Sequence, residues 1–148
     1  MGYSYVEKFS LGGTSPAAAS TAASTTITGL EAFKSLTFYC VLTGATGGTL
    51  DIYIQWSPDL GTTWVDYAHF AQLADGAAAI KRFFSVSRYG QQTTVTAVGS
   101  GTTASPGVAL AANTVLGGDF GDRLRVVYVA GGGTSAGAAQ IINFVGKT

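Results

Sequence analysis

The chain has 148 residues, a length that suits one domain of about 100–200 residues. Eight Lys and Arg balance eight Asp and Glu, and only 11% of residues are charged, against about 25% in an average domain. This weighs against nucleic-acid binding, which needs surplus cations to displace counterions, and against a polybasic membrane anchor. One His and one Cys leave most metal and nucleophile chemistry without reagents, so neither an enzyme nor a cofactor is expected.

The N-terminal residues Met1 to Lys8 lack a basic region followed by an apolar core and do not read as a secretory signal. Gly2 sits where a myristoylation site would, but Val6 stands where that motif wants Ser or Thr. Tyr3, Tyr5 and Phe9 make this end aromatic; such a terminus either folds back onto a sheet or docks on a neighbour. The Ser/Thr/Ala run from Thr14 to Thr26 has no apolar stripe for a helix to bury. Residues 1–24 are therefore expected as an extended N-terminal arm, and residues 25–148 as one β-domain.

From there the dominant period is two. Leu36, Phe38, Cys40 and Leu42 share one face, with Thr37, Tyr39 and Thr43 opposite. Leu50, Ile52, Ile54 and Trp56 repeat the pattern, with Asp51, Tyr53, Gln55 and Ser57 predicted to face outward. Cys40 reads as a small buried hydrophobe. Further strands are predicted at Thr63–Phe70, Ala79–Arg88, Gln92–Val98, Arg123–Ala130 and Ala138–Val145, with weaker ones at Thr25–Leu30 and Asn113–Leu116. Glycine clusters punctuate them at Gly44–Gly48, Gly99–Gly101, Gly117-Gly118 and Gly131–Gly133. No stretch approaches the about 20 apolar residues that cross a bilayer. About eight strands with short turns predict an all-β fold, a sandwich or a barrel, and the expectation taken forward is a single antiparallel β-sandwich.

The most specific local signal is Ser57-Pro58-Asp59-Leu60-Gly61-Thr62-Thr63-Trp64, the Asp-box pattern S-x-D-x-G-x-T-W. Asp59 can accept hydrogen bonds from turn N–H groups, Gly61 can take a conformation costly for other residues, and Trp64 can pack under the hairpin. A single copy reads as a hairpin staple built from Ser57, Asp59, Gly61, Thr63 and Trp64; several copies on a longer chain would suggest a glycosidase propeller. Gly99-Ser100-Gly101-Thr102-Thr103-Ala104 fits a dinucleotide fingerprint, but Ser105-Pro106-Gly107 breaks the chain where the required helix should begin. Gly146-Lys147-Thr148 resembles a P-loop end, yet Ile141 holds the place of its first glycine. His69 and Asp66 are three apart on a strand and point to opposite faces, and no nucleophile elbow accompanies them. A calcium site among loop oxygens near Asp119 and Asp122 has no calcium-loop pattern behind it. Arg123 and Arg125 share a strand face and read either as solvated residues or as a bidentate site for an acidic partner.

The stretch from Gly47 through Asp59, continued from Trp64 to Phe70, together with Gly121 to Tyr128, resembles small virion structural proteins of tailed bacteriophages. The functional class it is most similar to is the capsid decoration, or cement, protein with a jelly-roll fold. That resemblance implies a non-enzymatic protein on the capsid exterior, made in the host bacterial cytoplasm. It implies docking on major capsid protein and self-association as a homo-dimer or homo-trimer, with neither nucleic acid nor membrane as partner. Tyr3, Tyr5, Phe9, Arg123 and Arg125 are the candidate interface residues. The alternative is a glycan-binding or tail- or fibre-associated module, with Trp56, Tyr53 or Tyr67 as stacking platforms; against this, Trp56 alternates with core positions and should face inward.

Overall fold

The computed structural model describes residues 6–10, 13–14, 21–23, 26–42, 48–70, 72, 80–89, 111–116, 118–131 and 139–147. Within them the chain is all-β. Its strands are β1 (Val6–Ser10), β2 (Gly13–Thr14), β3 (Thr21–Ala23), β4 (Ser35–Leu42), β5 (Thr49–Ser57), β6 (Val65–His69), β7 (Ile80–Ser87), β8 (Thr114–Val115), β9 (Arg123–Gly131) and β10 (Ala139–Lys147). A single 3-10 turn covers Leu30–Ala32, and no described helix is long and apolar enough to cross a membrane.

The strands form two five-stranded antiparallel sheets. In the first, β10 is flanked by β1 and β2 on one side and by β4 on the other, with β7 outside β4. The second runs β3-β9-β5-β6-β8. The described parts of segment 1–24 thus pair within this chain, β1 and β2 on β10 and β3 on β9. The predicted strand Gln92–Val98 lies outside the described residues.

One apolar core joins the sheets. Leu36, Phe38 and Val86 contribute from the first, and Leu50, Ile52, Ile54, Leu124, Val126 and Tyr128 from the second. Alternation over Ser35–Tyr39 of β4 is clean, with Leu36 and Phe38 fully buried and Tyr39 exposed, as a sheet wet on one face requires. Trp56 packs partly buried against the same core. Between the sheets, Leu30, Phe33 and Phe120 plug one end.

Two sequence expectations are corrected. Tyr53, Gln55 and Ser57 were expected to face solvent, yet all three are buried, Gln55 completely. The outer face of the second sheet carries a chain of polar groups in which Gln55 is bonded on both sides, to Asp66 and to Arg125, and a buried polar residue is tolerated where it is hydrogen-bonded. Of the weak strand predicted at Thr25–Leu30, the described residues 26–30 form only an isolated bridge, Ile27 with Leu124, before the 3-10 turn. Asp122 Oδ1 accepts the N–H groups of Gly29 at 2.7 Å and Leu30 at 3.0 Å, and Gly29 is left-handed at φ 81°. This side-chain cap turns the chain away from the sheet ladder.

Candidate functional surface

The turn between β5 and β6 is held by its own side chains. Ser57 Oγ accepts the Gly61 N–H at 2.7 Å and donates to Asp59 Oδ1 at 3.0 Å. The same Asp59 oxygen accepts the Thr63 N–H at 2.6 Å, and Trp64 Nε1 donates to the Gly61 carbonyl at 3.1 Å. Thr63, through its hydroxyl and then its backbone N–H, holds the Asp59 carboxyl below its usual value. Gly61 sits at φ 103°, a region that side chains with a Cβ rarely adopt. Leu60 is also left-handed, at φ 60°, and is 67% exposed. A bulky residue in that conformation is an outlier, so this turn projects an apolar side chain at a backbone cost.

β9 runs beside this hairpin, with Ser57 opposite Arg123 and Gln55 opposite Arg125. The Arg123 guanidinium lies 3.5 Å from where a Cβ on Gly61 would stand. Arg125 is buried, stacked 4.3 Å over the Trp64 ring, and its Nε donates to Gln55 Oε1 at 2.8 Å. Gln55 in turn donates to Asp66 Oδ1 at 2.7 Å. Burial lowers the Arg125 pKa from its ordinary value, while the Asp66 charge acts the other way. The fold therefore brings the hairpin residues and both arginines into one cluster. It corrects the solvated reading of Arg125, which is buried, with Nε bonded to Gln55 and the guanidinium lying on Trp64. Gly121, at φ 63°, lies where a Cβ would come within 2.8 Å of Trp56 Cε3; only glycine allows the β9 entry to pack so closely on that ring.

Farther along the same face, His69 Nε2 lies 3.0 Å from Asp51 Oδ1, and its ring stacks on Tyr53 at 4.0 Å between centroids. Asp51 is the diagonal neighbour of His69 across the β5–β6 ladder, where Tyr53 is opposite His69. Asp51 Oδ2 also accepts from Gln72 Nε2 at 2.8 Å. Burial, followed by the charges of Asp51 and Asp66, raises the Tyr53 pKa to about 12. Among the described residues, no group of three or more His, Cys, Asp or Glu could hold a metal ion. Asp119 instead bonds Arg88 and the Gly121 N–H, the latter at 3.0 Å.

Arg88, which sequence reading passed over, ties the sheets together at one end. From just beyond β7 its Nε donates to the Phe33 carbonyl at 3.0 Å. Its Nη2 reaches the carbonyls of Leu30 at 2.8 Å and Gly121 at 3.1 Å. The guanidinium also pairs with Asp119 and stacks 4.2 Å over Phe120. The only sequence clue was a lone arginine closing a predicted strand in a chain poor in charge.

The remaining expectations divide as follows. Tyr3 and Tyr5 lie outside the described residues, as does the Cys40 side chain. Phe9 is on β1, in register with Phe144, which is itself opposite Phe38. Tyr53 and Tyr67 are buried and Trp56 is half-buried against the core, which corrects their assignment as stacking platforms; Tyr67 is anchored by its hydroxyl, which donates to the Gly118 carbonyl at 3.0 Å. The described aromatics with free surface are instead Phe83 at 74%, Tyr89 at 75% and Tyr39 at 38% exposure. No known protein family, curated protein or solved structure matches this chain.

Proposed function

We propose that the chain is a non-enzymatic virion structural protein, a jelly-roll module that docks on the outside of a tailed-phage capsid and bridges adjacent major capsid protein subunits. The pairing order supports the jelly-roll reading. With the two-residue β2 and β8 set aside, eight strands remain, and they pair first with last (β1·β10), then inward through β3·β9, β4·β7 and β5·β6. Nested pairing of this kind is what a long hairpin gives when it wraps over itself, as in jelly rolls. The pairs β4·β10 and β5·β9 join the wrapped halves into two sheets.

The observation that carries the role is the division of labour between polar and apolar groups. Arg88, Arg125, His69 and Asp122 all point their charged or polar heads at partners within the molecule. Leu60, Phe83 and Tyr89 stand largely in solvent. Contact chemistry of that kind suits packing of many neutral copies against protein rather than against nucleic acid. Each bound copy would stabilise the assembled shell by mass action, since it binds neighbouring subunits only when they are assembled. The test is sedimentation of the purified protein with expanded empty capsids. Co-sedimentation at micromolar concentration is expected; failure there, with binding on a glycan array, overturns the reading. The glycan reading has one observation in its favour, the free ring faces of Phe83 and Tyr89, and the array decides it.

A further inference from the structure

We propose that the tip of the β5–β6 hairpin is a docking knob, with Leu60 as the anchor that enters an apolar socket with a basic rim on a protein partner. Among the described residues, seven have a positive φ. Five are glycines and one is Asn113, a side chain that tolerates this backbone. The seventh is Leu60, at φ 60°, where a bulky residue is an outlier. The chain thus places a suitable residue type at six of these positions and departs from it once. The fold gains little in return: Leu60 is 67% exposed and stands apart from the hydrophobic core. A local rule broken without a gain in packing points to a use outside the fold.

The hairpin is built to present this side chain. Bonds from Ser57, Asp59 and Trp64 close the turn from within, and Pro58 fixes its own φ. Pro58, Asp59 and Leu60 form an exposed run. A preorganised loop loses little conformational freedom on binding, so more of the contact energy appears as affinity. The neighbours of Leu60 select the partner's chemistry. Asp59 is exposed, and its hydrogen bonds hold its carboxyl below the usual value, so the tip is anionic at neutral pH. Burying that charge in a bilayer is costly, which weighs against lipid as the occupant, and an acidic rim would repel it. Arg123, beside Gly61, has Asp122 as its ion-pair partner at 3.8 Å. Asp59 forms no ion pair with a described residue, so its charge is the one left for a partner to meet. A protein surface with an apolar recess edged by Lys or Arg fits both features.

The inference rests on the capsid docking proposed above and names the residue that anchors it. The experiment is quantitative sedimentation of the full chain with expanded empty capsids, with Leu60→Asn, Leu60→Met and Asp59→Asn beside the wild type. Leu60→Asn is expected to bind about tenfold to a hundredfold more weakly, the loss of one buried leucine, while its thermal midpoint holds or rises. Leu60→Met keeps an apolar side chain of similar volume and recovers most of the affinity. Asp59→Asn keeps an oxygen to accept the Thr63 N–H but removes the charge. It weakens binding at low salt, and the difference closes at high salt, where charges are screened. Sedimentation of Leu60→Asn equal to that of the wild type overturns the anchor and leaves capsid docking standing, whereas a wild type that does not sediment overturns both. Undiminished binding of Asp59→Asn at low salt overturns the basic rim. Flotation with phosphatidylcholine vesicles, or a dimer in analytical ultracentrifugation, overturns the proposal if it is lost in Leu60→Asn, because a lipid or a second copy would then hold this side chain.

Discussion

Replacing Arg88 with methionine isolates what joins the two sheets at the Phe120 end. Methionine keeps the aliphatic stem and can still lie on the Phe120 ring, so the loss is confined to the guanidinium. The Arg88 side chain is 17% exposed, and its guanidinium donates to Phe33, Leu30 and Gly121 carbonyls and to Asp119. A hydrogen bond to a charged group is worth about 1.5–3 kcal/mol, but bonds from one side chain do not add. The Leu30 carbonyl keeps a second donor, the Phe33 N–H at 3.1 Å. Removing one partner from a buried charged network costs about 3–5 kcal/mol, and partial exposure places Arg88→Met near about 3 kcal/mol. For a chain of this size that lowers the thermal midpoint by about 10 °C. Urea unfolding measures it, with Asp119→Asn as the control. Asp119 is 64% exposed, and an exposed ion pair contributes less than about 1 kcal/mol. A loss below about 1 kcal/mol for Arg88→Met, or an equal loss for Asp119→Asn, refutes the view that neutral carbonyls, rather than the ion pair, anchor this arginine.

Three further outcomes are expected. Leu60→Asn should raise stability by about 0.5–1 kcal/mol, because asparagine tolerates the left-handed backbone and little burial is lost; a lower thermal midpoint would show that the leucine packs rather than projects. The Asp122 carboxyl is held below its usual value first by a hydrogen bond with Glu31, then by the Gly29 and Leu30 N–H groups and Arg123. Its contribution is therefore present above the unfolded value near 3.8 and lost as pH falls below it, so Asp122→Asn should flatten the acid limb of a stability–pH profile. Burial raises Tyr67 and Tyr53 to about 12; stability from this source is complete below pH 10 and declines as pH rises toward 12. Ultraviolet titration should find Tyr53 and Tyr67 ionising late, and Tyr67→Phe should remove one late-ionising group.

How much of this was legible depends on how far apart in the chain the partners are. The hairpin at Ser57–Trp64 could be read because its bonds span two to four residues, so the motif contains its own partners. β4 could be read because alternation shows directly when one face is wet. β5 misled, since Tyr53 and Gln55 look like outward residues until Arg125 and Asp66 are brought beside them, 70 and 11 residues away along the chain. The first strands escaped notice for a related reason. β1, β2 and β3 lack strong alternation of their own and are strands because β10 and β9 offer them a ladder.

The few charged groups of this chain acquire definite places in the fold. Composition and period two were enough for an all-β chain with apolar inward faces, since strand geometry alone sends successive side chains to opposite sides. Which of the few charged groups stay in solvent could not be read locally. Arg88 and Arg125 both fall in predicted strands, yet one clamps three carbonyls and the other lies on a tryptophan. Those fates depend on strands that meet only after the chain has closed on itself, and no window of neighbouring residues contains both halves of such a contact.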